Sequence, residues 1–331
     1  MSVDFNATAI PGPTITGTTA GAPGNNVLAA QVVKATFDKL IRFKQRTEPY
    51  YRKFATVRPA DLAYPGSTID MFRMSAELGL ATTPLDEYAD PDFVSLPAPT
   101  KKTLTLNEYG NATVTTMRLK DFSFASIDPL QAELLSRNMG DSVDKLVENV
   151  LTATTNKYKT DSSGVVTSGA ATDGNGVISS KAIRRIVAEM RGKLALPYEG
   201  GLYVGFIHPA AAVALREETD AAGWRPTHIY TENTNGVLFS GDIGVYEGVR
   251  WIETTRVPVR TAGTPAKNVY STIILGKDAL VEALNREFST VITPTTDKFG
   301  RLFGAGWYGC AAWGIYNEES VSILETGGAA I

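Results

Sequence analysis

The chain has few of the side chains that bind metals or form disulfides. Cys310 is the one cysteine among its 331 residues, so no intrachain disulfide can form. His208 and His228 are its two histidines, which are fewer than a structural zinc site needs. The sequence therefore predicts neither a metal site nor a cofactor.

The chain also lacks a strong charge of either sign and any long apolar run. Its 32 Lys and Arg against 35 Asp and Glu give a net charge of −3, which provides no basic excess for tight binding to nucleic acid or to an anionic membrane. No apolar stretch is long enough to span a bilayer. Residues 1–24 have neither the charged nor the apolar region of a signal peptide. We therefore expect a soluble protein that is made in a cytoplasm.

Catalytic motifs are missing as well. The sequence has no Gly-x-Ser-x-Gly elbow and no phosphate-binding Gly-x-x-x-x-Gly-Lys loop. The glycines of GDIGVYEG (241–248) precede an apolar strand instead of a helix, so turn glycines are favoured over a dinucleotide site. His208 stands directly before Pro209, after an apolar strand, where a structural cap is favoured over a catalytic base. The sequence predicts no catalytic residue and no enzyme.

An acidic cluster leaves two interpretations open. Its members are Asp86, Glu87, Asp90 and Asp92. They could form a cation site or a carboxylate pair, but the spacing of an EF-hand calcium loop is missing. A solvent-exposed or partner-facing loop is therefore favoured. Lys101 and Lys102 follow the cluster, and we expect them to pair with such acids on a neighbouring subunit.

Aromatic residues are concentrated near the C-terminal end. They are Phe299, Phe303, Trp307, Tyr308, Trp313 and Tyr316. A platform for stacked nucleic-acid bases would need a basic groove around them. Lys298 and Arg301 are the nearby cations, so a core or a subunit interface is the better interpretation.

The N-terminal region divides into a tail and a helix. Residues 1–24 are rich in Thr, Gly and Pro and have no periodicity, so they predict a disordered tail or an arm that orders only against a neighbour. From Asn26 to Lys44 the apolar residues recur at helical spacing. A second short helix is predicted after Thr47, with Tyr50 and Phe54 on one face.

A pair of strands encloses a long loop. Residues 66–74 and the stretch from Thr100, KTLTLNEYGNATVTTMRL, have the alternation of strands. Residues 75–100 between them lose this periodicity and contain four prolines and the acidic cluster. Long loops inside compact domains are uncommon and are usually functional or disordered.

A long amphipathic helix follows this strand pair. Asp128 is predicted as its N-cap and Gln131 as its capping-box partner, and an apolar stripe then runs to about Thr155. Its length would be on the order of 40 Å. Such a helix can form the backbone of a flat domain.

The rest of the chain alternates between helices and strands. A helix after Ser180, a strand at 202–207 and a helix after Pro209 indicate an α/β subdomain. Further strands are predicted at 245–254 and 268–276, then a helical turn at KDALVEAL and a strand at EFSTVIT. Residues 306–326 are predicted to form a hairpin that turns at Asn317 and Glu318.

This order of elements resembles the major capsid proteins of tailed bacteriophages, which have the Hong Kong 97-type α+β fold. The resemblance covers nearly the whole chain. Two segments carry it most clearly: GLYVGFIHPAAAVALRE, a strand followed by His-Pro and a short helix, and GDIGVYEGVRWIETTRVP, which leads into a strand ending near Pro258. The long helix DPLQAELLSRNMGDSVDKLVENVL matches the family's spine helix.

The resemblance implies a division of the chain into five segments. These are an N-terminal arm and helix (1–55), an extended loop (56–118), a peripheral domain with the spine helix (119–177), an axial domain (178–260), and return strands that belong mainly to the peripheral domain (261–331). In this family the arm and the extended loop contact neighbouring subunits. The residues implied in such contacts here are Asp86, Glu87, Tyr88, Asp90, Phe93, Lys101 and Lys102.

The resemblance further implies an icosahedral head that is built from pentamers and hexamers and encloses double-stranded DNA without sequence specificity. The implied location is the virion capsid, assembled in the bacterial cytoplasm. The implied partners are a portal, decoration proteins and a separate scaffolding protein, because residues 1–24 are too few for a built-in scaffold. Two alternatives remain open: the shell of a cellular nanocompartment with the same fold, or another structural phage protein.

Overall fold

The strands and helices below come from a computed structural model of the chain. It describes residues 50–59, 68–74, 77–82, 84–85, 87–88, 90, 93–123, 127–218, 242–263, 266–293 and 297–328. The predicted tail, the helix from Asn26 to Lys44, and the side chains of Asp86, Asp92 and His228 lie outside these residues.

The described residues form strands, four α-helices and short 3-10 turns. The strands are β1 (Thr56–Pro59), β2 (Thr68–Arg73), β3 (Thr100–Thr105), β4 (Asn107–Thr116), β5 (Lys157–Thr160), β6 (Val166–Ser168), β7 (Tyr203–Ile207), β8 (Asp242–Tyr246), β9 (Val249–Glu253), β10 (Val259–Ala262), β11 (Lys267–Leu275), β12 (Leu280–Thr293), β13 (Leu302–Ile315) and β14 (Val321–Gly327). The helices are α1 (Met117–Phe122), α2 (Ile127–Thr152), α3 (Ser180–Gly192) and α4 (Pro209–Arg216). The 3-10 turns are Tyr51–Phe54, Glu199–Gly201 and Glu318–Ser320.

One sheet has four strands in the order β1-β12-β13-β4. Residues 277–284 (KDALVEAL) were predicted to be a helical turn, and that prediction is wrong: from Leu280 they form the start of β12, between β1 and β13. The helix-forming residues of this run are overridden by tertiary pairing on both sides of the strand.

A larger sheet has eight strands, in the order β6-β5-β14-β11-β7-β9-β8, with β10 paired to β11. Helices α3 and α4 share an apolar core with this sheet, around the fully buried Trp251. A second core joins the spine helix α2 and the four-stranded sheet to residues of β7, β11 and β14. The two sheets and α2 thus share this second core.

The hairpin predicted for residues 306–326 is also wrong. β13 lies in the four-stranded sheet, whereas β14 lies in the eight-stranded sheet between β5 and β11. All seven residues of β14 are buried, as expected of a central strand covered on both faces. The chain therefore crosses from one sheet to the other at Asn317–Ser320.

The segment 245–254 was predicted as one strand, but it contains a tight turn. Glu247 and Gly248 have positive φ values of 51° and 77° and connect β8 to the antiparallel strand β9. Positive φ at both central residues is typical of a two-residue hairpin turn. Gly248 is thus a turn glycine, in agreement with the interpretation of GDIGVYEG.

The spine helix α2 has 26 residues, which gives a length of about 39 Å. It begins at Ile127, so Asp128 lies in its first turn instead of at the N-cap. Gln131 does not complete a capping box, because its amide donates to the Thr113 carbonyl (3.1 Å) and to the Thr113 hydroxyl (2.6 Å) on β4. Leu135, Val143, Val147 and Leu151 form its buried stripe.

The predicted strand pair is confirmed as an antiparallel hairpin of β2 and β3. The long strand predicted from Thr100 is divided, because Leu106 separates β3 from β4, and β4 joins the four-stranded sheet. The hairpin is thus inserted between β1 and β4, which are both strands of the four-stranded sheet. None of the described helices is long and apolar enough to cross a membrane.

Candidate assembly surface

The loop that joins β2 to β3 exposes an unusual number of large apolar side chains. Phe93 is as exposed as in an extended chain (103%), and Tyr88 (92%) and Leu80 (88%) are nearly so. The other large apolar side chains exposed in the loop are Met74, Leu78, Leu85, Val94 and Leu96. Large exposed apolar side chains concentrated in one segment are typical of an interaction site.

The acidic residues described in this loop are also exposed. Glu87 and Asp90 lie on either side of the exposed Tyr88 in the sequence, so charged and apolar side chains are mixed near the middle of the loop. Apolar side chains can be covered by a partner, while the carboxylates at the edge remain solvated or pair with cations. The loop therefore has the composition of a protein interface.

Lys101 has a partner within its own hairpin. Its ammonium lies 2.7 Å from the Asp70 carboxylate across the strand pair, and the Thr103 hydroxyl donates to the same carboxylate at 2.6 Å. These hydrogen bonds lower the pKa of Asp70, with that from Lys101 having the larger effect. The pKa of Glu318 is raised by burial but lowered overall by hydrogen bonds from Thr154 and Thr155, and the charge of Lys102 adds a smaller lowering effect. Pairing of either lysine with acids of a neighbour stays a prediction.

The root of the N-terminal segment is anchored on the spine helix. The backbone N–H of Tyr51 donates to the Asp144 carboxylate (2.9 Å), and the Tyr51 hydroxyl donates to the Arg256 carbonyl (3.3 Å). Burial raises the pKa of Tyr51 well above its ordinary value, and the nearby Glu148 and Asp144 carboxylates act in the same direction. The Tyr51 ring is fully buried and lies 4.8 Å from that of Phe206.

A buried carboxylate holds the next residue of this root. Arg52 forms a forked pair with Glu282, with Nε–Oε1 at 3.0 Å, Nε–Oε2 at 3.1 Å and Nη2–Oε1 at 2.8 Å. The Glu282 side chain is fully buried, and the Arg52 guanidinium lies over the Phe288 ring at 5.5 Å. Residues 50–54 are therefore held at a fixed position on the body of the subunit.

Asp144 and Asp141 of the spine helix share the guanidinium of Arg256. Asp141 accepts a hydrogen bond from Nη2, and the Asp144 carboxylate lies 3.6 Å from Nη1. Burial raises the pKa of Asp144, although the hydrogen bond from Tyr51 and the charge of Arg256 oppose that rise. These contacts connect the spine helix to the turn between β9 and β10.

The far end of the four-stranded sheet is a second exposed surface. Ile292 and Phe299, which flank the connection from β12 to β13, are each 81% exposed. The Arg301 guanidinium covers the Phe299 ring at 5.3 Å and pairs with Asp297 at 2.7 Å. Of the aromatic residues concentrated near the C-terminal end, Trp307 and Trp313 are buried in the core.

His208 lies where the sequence predicts a structural cap. Its Nδ1 accepts a hydrogen bond from the backbone N–H of Ala210 (3.1 Å) at the start of α4, and its ring is 4.4 Å from that of Tyr270. Burial lowers the pKa of His208, which favours the neutral form that this cap requires. In the described part of the chain, no group of three or more His, Cys, Asp or Glu side chains is placed to hold a metal ion.

Three comparisons relate the chain to known proteins. Residues 100–312 match the family described as phage capsid protein. No curated protein sequence matches the chain. The fold is similar to that of solved phage capsids, with sequence identities far too low to transfer more than the fold.

Three of these structures illustrate the similarity. The head protein of Helicobacter pylori bacteriophage KHP40 has a TM-score of 0.67 and 12% identity, covering 94% of this chain and 99% of that one. The capsid protein of cyanophage P-SCSP1u has a TM-score of 0.64 and 12% identity, covering 89% and 93%. The capsid protein of Ralstonia phage GP4 has a TM-score of 0.63 and 15% identity, covering 95% and 99%.

These matches do not favour the nanocompartment alternative. The family match covers well over half of the chain, and the fold is similar to that of a solved phage head over 94% of this chain. The chain belongs to the phage capsid protein family, has the Hong Kong 97-type fold, and is a major capsid protein of a tailed phage.

Proposed function

We propose that this subunit closes an icosahedral shell of pentamers and hexamers by laying its extended loop over a neighbouring copy. The observation that carries the proposal is the exposure of the large apolar side chains in residues 77–99, among them Leu80 and Phe93. Burying them on a second copy would stabilise the contact by about 25 cal/mol for each Å² of apolar area removed from water. The subunit contacts proposed are Asp86, Glu87, Tyr88, Asp90, Phe93, Lys101 and Lys102.

The proposal includes the contents and partners of the shell. Double-stranded DNA would be enclosed without sequence specificity, since a net charge of −3 favours loose contact with a polyanion. A scaffolding protein, a portal and decoration proteins would act with the shell during assembly in the bacterial cytoplasm. The role is structural, with no enzymatic step and no cofactor.

The division into domains is also a proposal. The eight-stranded sheet with α3 and α4 would be the axial domain, and the four-stranded sheet with α2 the peripheral domain. β11 and β14 come from residues 261–331 but belong to the eight-stranded sheet, so the return strands contribute to both domains.

Deleting residues 76–98 tests the role of the loop. The strands β2 and β3 can be closed by a short turn, so we expect the subunit to fold with an unchanged thermal transition and to form no stable shells. Negative-stain electron microscopy and light scattering would detect the shells. A deletion variant that still closes normal particles contradicts the proposal.

Point substitutions in the loop provide a milder test. Leu80→Ser together with Phe93→Ser keeps the loop length but removes two of its most exposed apolar side chains. We expect a clear rise in the subunit concentration needed for assembly. Ser95→Ala, at an exposed position of the same loop, is the matched control and should assemble like the unmodified chain.

A further inference from the structure

The base of the extended hairpin rests on one short stretch of the body. We call residues 314–320 the joint; they comprise the last two residues of β13 and the connection that leads to β14. Arg73, the last residue of β2, donates from Nη1 to the Asn317 side-chain oxygen (2.6 Å), and its Nη2 lies 3.3 Å from the Glu319 carboxylate. The Tyr316 hydroxyl donates to the Phe72 carbonyl at 3.3 Å. The end of β2 therefore contacts the joint through both the Arg73 side chain and the Phe72 carbonyl.

Close packing adds a second tie from strand β3. A Cβ on Gly314 would lie 2.2 Å from a methyl carbon of Leu104, so the Leu104 side chain occupies the space that a larger residue would fill. The hairpin thus contacts the joint from both of its strands.

The joint is in turn fixed to the end of the spine helix. Glu318 Oε1 accepts hydrogen bonds from the Thr154 hydroxyl (2.7 Å) and from the backbone N–H of Thr155 (2.7 Å). The Asn156 side-chain amide donates to the Glu318 carbonyl at 2.6 Å. These residues directly follow α2, so the joint contacts both the hairpin and the end of the spine helix.

The acceptor that Arg73 uses is already held in place. Asn317 is 8% exposed, its amide donates to the Ser320 hydroxyl (2.8 Å), and its oxygen accepts from the Glu319 N–H (3.2 Å). Because the N–H donors of a guanidinium lie in one rigid plane, binding to such a fixed oxygen also fixes the orientation of the Arg73 side chain.

We propose that Arg73 is a positioning residue for capsid assembly. By binding the joint, it holds the extended hairpin at one angle to the spine helix and so presents the loop to the neighbouring subunit in one direction. The inference rests on the proposed role of the loop as a subunit contact. A hairpin already held in its assembled direction loses less conformational freedom on binding, which strengthens the contact without touching the neighbour.

The orientation of the hairpin can be measured directly on unassembled full-length subunits. Spin labels at Leu85→Cys in the loop and Asn149→Cys on α2 would be specific, because the native Cys310 is buried. With Arg73 present, we expect pulsed electron–electron double resonance to give a narrow distribution of the distance between the two labels. Arg73→Ala should broaden it, and Arg73→Lys should give an intermediate width, since an ammonium cannot span both acceptors in a fixed plane.

Assembly is the second measurement. Arg73→Ala should raise the subunit concentration at half assembly about tenfold, which corresponds to about 1.4 kcal/mol per subunit. The unassembled Arg73→Ala subunit should unfold at the same temperature as the unmodified subunit. Arg137→Ala is the matched control, because it removes a similarly exposed pair with Glu133 (2.6 Å) within α2. It should change neither the distance distribution nor the assembly.

The outcomes separate this inference from the function on which it rests. An unchanged distance distribution in Arg73→Ala, or assembly equal to that of the unmodified chain, overturns the positioning role. If the Leu80→Ser/Phe93→Ser variant fails to assemble while Arg73→Ala assembles normally, the inference alone is wrong. If the loop variant assembles normally, the proposed role of the loop is wrong as well.

Discussion

At the scale of single residues, the ion pair of Arg52 and Glu282 ties residues 50–54 to the body. The Glu282 carboxylate is fully buried, and its charge is balanced by a guanidinium that is about one third exposed (32%). Removing one partner of such a pair leaves an unsatisfied charge, whereas removing both does not. The two partners are 230 positions apart, so no local pattern could have predicted their contact.

Arg52→Met should destabilise the subunit by about 3 kcal/mol. This is the lower end of the usual loss when one partner of a buried ion pair is removed, because Arg52 is partly exposed. The double substitution Arg52→Met/Glu282→Met should recover most of this loss. Urea denaturation of unassembled subunits measures both effects. Arg216→Ala, which removes the more exposed pair with Glu253, is the control and should change the free energy of unfolding by about 1 kcal/mol or less. Equal losses in the single and double variants would contradict the account.

His208 is the residue whose role the sequence predicts most directly, since His-Pro after a strand opens α4. His208→Ala should cost about 1 kcal/mol of subunit stability through loss of the hydrogen bond to the Ala210 N–H. Assembly should be intact, because the ring faces Tyr270 of its own subunit. Thermal denaturation and electron microscopy together check this. A severe assembly defect in a folded variant would show that His208 acts beyond its cap.

At the scale of elements, periodicity predicts the long and regular parts well. The spine helix was found within a few residues of its predicted ends, because its apolar stripe repeats over seven turns. The alternation of apolar and polar residues predicted the two strands of the β2–β3 hairpin, and the loss of this alternation predicted the loop between them. The start of β12 and the partners of β14 could not be predicted, because sheet membership depends on strands far away in sequence. The tie of Arg73 to Asn317 spans 244 positions and has no local signature.

Acid should loosen the contact between the joint and the spine helix. Burial acts to raise the pKa of Glu318, but hydrogen bonds from Thr154 and Thr155 outweigh it and lower that pKa from its ordinary 4.5. Since the folded-state pKa is the lower one, the stabilisation is present above about pH 4.5 and is lost as pH falls through the folded pKa.

Glu318→Gln should therefore be less stable than the unmodified subunit at pH 7, and the difference should shrink as the pH falls below 4.5. Thermal denaturation between neutral and acidic pH measures this difference. Asp297→Asn is a useful comparison, since the pKa of Asp297 is also lowered, mainly by the hydrogen bond from Arg301, at a partly buried position away from the joint. A difference for Glu318→Gln that stays constant into strong acid would contradict the assignment of its hydrogen bonds.

At the scale of the whole molecule, two sheets share an apolar core with the spine helix, and the loop of the β2–β3 hairpin exposes large apolar side chains. Each contact between copies can be modest, because closed symmetry repeats it around the shell. The two exposed surfaces identified are the loop of residues 77–99 and the end of the four-stranded sheet at Ile292 and Phe299. Both are typical of surfaces that become buried on assembly.

The most direct test of this account is to express the full chain, alone and with a scaffolding protein, and to examine the product by negative-stain electron microscopy with light scattering. The account predicts closed shells, or pentamers and hexamers, whose formation depends on residues 76–98. A subunit that stays monomeric in every buffer, even with the scaffolding protein present, would contradict it.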